Sequence, residues 1–126
     1  PSARAIAGAL AEAWPRLRGR VELREEDLEA VALEPGDLVV STHACGALTD
    51  RVLARAVAAR ARVAVLPCCH DERACDLGAL GGWVDASLAI DATRARRLAQ
   101  AGYDVHTQLV PSAITEKNRL LLGAPS

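Results

Sequence analysis

Two short apolar runs constrain this chain more than any other feature. In "DLVVS" and "RVAVLP" the apolar residues Leu38, Val39 and Val40, and then Val63, Ala64, Val65 and Leu66, are continuous rather than alternating. Continuous runs of this length are the pattern of parallel strands covered on both faces. Between them Val52, Leu53, Ala56 and Val57 make one helical stripe, with Thr49 or Asp50 placed to cap it. Parallel strands at 37–42 and 62–67, joined by a helix from Asp50 to about Arg60, form a βαβ unit with a right-handed crossover.

The flanking segments extend this α/β reading. Ser2 is positioned to cap a helix over 3–14, where Ile6, Leu10 and Trp14 recur at four-residue spacing and Pro15 stops the ladder. "RVELRE" alternates like a strand, and Pro35 and Gly36 mark a turn after it. Residues 71–90 read as loop with at most a short helix. Asp91 opens the next helix and Gly102 closes it. Alternation from Tyr103 to Leu109 marks a strand, and a last one at about 119–122 is expected to run antiparallel to it.

Composition excludes several function classes. With 126 residues, 51% of them apolar, the chain holds one domain with a core of Ala, Val and Leu, since Phe is absent. A net charge of −1 gives no basic surplus for nucleic acid. Trp14, Trp83 and Tyr103 are too few for a base-stacking platform. No run approaches the roughly 18 apolar residues of a membrane span, and no secretory pattern opens the chain, which points to the cytoplasm. Cys45, Cys68, Cys69 and Cys75 are then expected as free thiols.

In an open parallel sheet, ligands bind beyond the carboxyl ends of the strands. His43, Ala44, Cys45 and Gly46 follow the first strand of the unit, and Pro67, Cys68, Cys69 and His70 follow the second. Neighbouring strands lie about 4.8 Å apart, so both motifs line one crevice, with His43 within one or two side-chain lengths of Cys68 or Cys69. Three chemistries suit it. His43, Cys45, Cys68, Cys69 and His70 are metal-ligand types, although their spacing matches no common zinc motif. A Cys69 thiolate activated by His43 or His70 would be a nucleophile. Cysteines also pack simply as small hydrophobes.

Three motifs in order, "DLVVSTHACGALTD", "VAVLPCCH" and "AITEKNRLLLG", resemble the later half of a class I S-adenosylmethionine-dependent methyltransferase domain, of the group carrying HxCGxLTD and PCC motifs and related to tRNA-methylating enzymes. The resemblance covers about Arg20 to Pro125. It implies a Rossmann-like sheet, mainly parallel with an antiparallel C-terminal hairpin, in the order 3-2-1-4-5-7-6. "VELREEDLEA" would supply the third strand, with Asp27 and Leu28 beside the cofactor's adenine. His43, Ala44 and Cys45 would lie where sulfonium and acceptor meet. Cys68, Cys69 and His70 would lie on the acceptor side, and His43 or His70 would serve as base near neutral pH.

The family's first two strands and its glycine-rich turn have no counterpart in these residues, so the third strand would lack a neighbour. The implied reading is the C-terminal part of a larger methyltransferase domain, completed by a missing N-terminal segment or by a second copy in a homodimer, unless the third strand packs on the fourth. Binding of S-adenosylmethionine by this chain alone is expected to be weak or absent. The acceptor is open, with RNA pointed to by family analogy alone. A non-catalytic Rossmann-like binding or dimerising module and a thiol-rich metal-binding protein are the alternatives.

Overall fold

The computed structural model describes Ser2–Ser126, in two compact units that meet after Val31. In the first, helix α1 spans Ala3–Ala13, with the Ser2 hydroxyl accepting from the Ala5 N–H at 3.3 Å. Pro15 then starts a 3₁₀ turn, Pro15–Leu17, and a second such turn spans Leu28–Ala30. The segment "RVELRE", residues 20–25, expected as a strand, forms none. A strand needs a neighbour to take its N–H and C=O groups, and residues 2–31 contain no other strand. Val21 and Leu23 stay exposed, and Arg24 pairs locally with Glu22 at 2.8 Å.

The second unit, Ala32–Ser126, holds the sheet. Strand β1 (Leu38–Thr42), helix α2 (Ala47–Ala59) and strand β2 (Arg62–Leu66) form the expected unit, with β1 and β2 paired in parallel from Leu38↔Arg62 to Thr42↔Leu66. Helix α3 (Ala86–Gln100) leads through Gly102, at φ 80°, to β3 (Tyr103–Leu109), and β4 (Arg119–Pro125) returns antiparallel to it. β4 also pairs antiparallel with β2, giving the order β1-β2-β4-β3. This order is compatible with the 4-5-7-6 part of the sheet implied by the resemblance. By pairing, the sheet is mixed rather than mainly parallel, because β4 enters reversed between β2 and β3.

Both helix starts differ from expectation. α2 begins three residues before Asp50, with Gly46 at its cap position (φ 54°, ψ −131°). Thr49 turns inward instead, its hydroxyl donating to the Ala44 carbonyl. α3 begins at Ala86 because Asp85 accepts from the Leu88 N–H at 3.0 Å. Asp91 therefore lies inside the helix rather than at its cap.

The core is built mostly from small residues. Ala56, Ala61 and Ala89 have no exposed surface, Val63 and Val65 have almost none, and the Tyr103 hydroxyl lies 3.0 Å and 2.9 Å from the Ala56 and Ala61 carbonyls. Close approach of α3 to β4 requires Gly123, where a Cβ would press into Leu98 and the Tyr103 ring. The other sheet face is more open. Leu38 and Val40 are 54% and 64% exposed, so the expectation of full cover fails for β1, an edge strand among the described residues.

Candidate functional site

The loops that leave β1 and β2 are held together at the carboxyl end of the sheet. β1 gives way to His43, whose φ of 62° is left-handed, and the chain turns again at Gly46. A non-glycine residue in that region is uncommon, and such strain collects at functional sites. The Gly46 N–H donates to the Cys69 carbonyl at 3.1 Å, and the Gly46 carbonyl accepts from Arg94 Nη2 at 2.9 Å. One glycine thus joins the first loop to the second and to α3.

This stitching brings three thiols together. Cys45 Sγ lies 3.6 Å from Cys68 Sγ, Cys68 Sγ lies 3.6 Å from Cys69 Sγ, and all three sulfurs fall within 4.8 Å of one another. Cys68 is buried, whereas Cys45 and Cys69 are exposed. Hydrogen bonding with Cys69, and then with Cys68, pushes the Cys45 thiol up to about 11. The same contacts, Cys45 first and Cys68 second, with Lys117 adding its charge, pull Cys69 below the ordinary thiol range. The shared contacts thus favour the thiolate form at Cys69 and the thiol form at Cys45.

His70 belongs to a different arrangement. Its Nε2 donates to Asp91 Oδ1 at 2.8 Å, with both side chains nearly buried. Asp91 also accepts from Arg94 Nη1 at 3.2 Å and from Arg119 Nε at 2.7 Å. Arg94, only 2% exposed, is further paired with Asp50 through contacts of 3.0 Å and 2.8 Å. A carboxylate holding Nε2–H leaves Nδ1 as the ring's acceptor. A polar cavity of about 90 Å³ opens beside this pair, lined in part by His70, Glu116, Lys117, Asn118 and Arg119. A cavity of about 330 Å³, mostly apolar, lies between α3 and the β3–β4 hairpin, with Asp91 and Arg119 at its edge.

Of the candidates named from sequence, Cys45, Cys68 and Cys69 meet in one cluster and His70 stands in the polar network. His43 is exposed, and its carbonyl lies 3.6 Å from Cys45 Sγ. Ala44 is buried beneath the same loop. Asp27 and Leu28 lie in the first unit, Asp27 exposed and without a side-chain capping bond, Leu28 half-buried. Sequence reasoning missed Asp50, Asp91, Arg94 and Arg119. The i,i+3 spacing of Asp91 and Arg94 was a signal for one of these pairs.

Residues 3–76 match the model of a methyltransferase domain family, a span running from α1 through both loops and covering more than half of the chain. No curated protein and no solved structure matches the chain.

Proposed function

We propose that this chain, which belongs to the methyltransferase domain family, supplies the acceptor side of an S-adenosylmethionine-dependent methyltransferase. The observation that carries the reading is the His70–Asp91 pair, set beyond the carboxyl end of β2 and bordering a polar cavity. A ring held by a nearly buried carboxylate thus lies at the end of the sheet where α/β enzymes bind their ligands. His70 Nδ1 receives the acceptor's proton, and Asp91 positions the ring. His43 and Cys69 lie along the neighbouring loops and shape the approach.

Cofactor contacts are proposed for each of the two units by itself. The Asp27 carboxylate is exposed and not used in capping, which suits an adenine amino group, with Leu28 as its apolar neighbour. His43, Ala44 and Cys45 form the loop that would face the sulfonium. The cofactor, when bound, supplies the methyl group. A glycine-rich turn to hold its methionine and ribose portions is not found among the described residues, so contact is partial and binding weak. Lys117 and Asn118 line the polar cavity together with Glu116 and an Arg119 paired to Asp91, and RNA as the acceptor rests on family analogy alone.

Saturation-transfer NMR detects such weak contact. Adenine protons of S-adenosylmethionine are expected to receive magnetisation from the chain, to be displaced by S-adenosylhomocysteine, and to lose the signal on Asp27→Ala. Absence of transfer at millimolar cofactor overturns the proposed cofactor contact, and a His70→Ala variant of a methyl-transferring form that keeps full activity overturns the acceptor-side reading. Micromolar binding that Asp27→Ala abolishes would instead favour completion of the site by a second copy.

A further inference from the structure

The three-sulfur cluster has a geometry that packing alone does not require. Cysteines that serve as small core residues are buried, whereas Cys45 and Cys69 are exposed and still hold their sulfurs against Cys68. We propose that Cys45, Cys68 and Cys69 form a binding site for one thiophilic divalent cation of the zinc class.

Tetrahedral coordination sets the scale. With metal–sulfur bonds of about 2.3 Å, adjacent thiolates on one ion stand about 3.8 Å apart. Two of the sulfur pairs are already at 3.6 Å, and the third lies within 4.8 Å. Small χ1 adjustments at the exposed Cys45 and Cys69 bring all three onto one ion. The awkwardness of chelation by adjacent cysteines is relieved because Cys45, from the other loop, closes the third corner. That loop is fixed in advance by the bond from the Gly46 N–H to the Cys69 carbonyl and by the left-handed turns at His43 and Gly46. Binding forms three metal–sulfur bonds and releases the three thiol protons, leaving a net charge of −1 on the site. Three protein ligands leave a fourth position, on the exposed side of the cluster, for water or another small donor, the coordination pattern of open rather than closed zinc sites. Soft sulfur ligands select zinc-like ions over magnesium or calcium.

Cobalt(II) is a direct probe on the reduced, chelator-treated full chain. One equivalent is expected to give thiolate-to-cobalt charge-transfer absorption with the strong visible bands of tetrahedral coordination, and zinc is expected to bleach both. Cys45→Ser and Cys69→Ser, both at exposed positions, are each expected to weaken binding by more than the roughly 10- to 100-fold that outer-shell changes cost. Cys75→Ser is expected to retain it. Circular dichroism establishes that each variant is folded, and zinc should raise the melting temperature of the wild type but not of Cys69→Ser. No charge transfer at one equivalent, unchanged affinity in both folded exposed-site variants, or a Cys45–Cys68 disulfide that forms in preference to metal binding would overturn the proposal. The measurement involves no methyl donor, so its outcome is separate from that of the methyl-transfer reading.

Discussion

The N–H of Gly46 and the carbonyl of Cys69 meet at 3.1 Å, one hydrogen bond joining the two loops that carry every cysteine of the cluster. Gly46 reaches this position at φ 54° and ψ −131°, a conformation that a side chain disfavours. Gly46→Ala should therefore lower stability by about 1–3 kcal/mol, the usual range for a non-glycine residue forced into a sparse region. Gly36 has no strained φ and open space around its Cα, so Gly36→Ala should melt close to the wild type. Chemical denaturation of the two variants decides the matter. Equal losses would mean that the Gly46 turn is not special.

Arg94 links Asp50 on α2 to Asp91 on α3. Asp91 keeps His70 and Arg119, and Asp50 is partly exposed, so removing the buried guanidinium costs about 1.5–3 kcal/mol, the scale of hydrogen bonds to charged groups. Arg94→Met should show a loss in that range by urea unfolding, larger than Arg24→Met, whose ion pairs are exposed. Comparable losses at the two sites would refute a structural role for the buried network.

The two faces of the sheet should respond oppositely to substitution. Val65 is 1% exposed, and Val65→Ala should cost about 1.5–3 kcal/mol. Val40 lies 64% exposed on β1, and Val40→Thr should fall within about 0.5 kcal/mol of the wild type. A large loss at Val40 would mean that something covers this face in solution.

Asp85 gives the stability a pH dependence of known sign. The Ser87 hydroxyl, and then the Leu88 N–H, hold its carboxyl below the ordinary range. A lowered folded value means that the stabilisation is present above about pH 3.9, the unfolded value, and fades as pH falls through the folded one. Asp85→Asn keeps the cap without titrating, so its melting temperature should approach that of the wild type below pH 4. Asp85→Ala should melt lower than both at neutral pH. A wild-type advantage over Asp85→Asn that grows on acidification would contradict the assignment.

The parts legible in the sequence were those set by local pattern. Val39–Val40, the Val52–Val57 stripe and Val63–Val65 located the parallel unit, and the alternation from Tyr103 to Leu109 located β3, because side-chain period follows backbone geometry. Cys45, Cys68 and Cys69 could be grouped because strands adjacent in a sheet deliver their following loops to one end. What stayed hidden depended on partners distant in sequence. Asp91 looked like a cap until His70 and Arg119 were seen on its two oxygens. "RVELRE" carried a strand pattern, but pattern does not supply a neighbour.

Because β4 lies between β2 and β3, the sheet stays in two pieces until residues 119–125 have been synthesised. β1, α2 and β2 join through contacts close in sequence, whereas residues 103–109 have no neighbour for their N–H and C=O groups until β4 is in place. Residues 119–125 therefore act as a keystone, supplying the neighbour of the β2 edge and of β3 in one step.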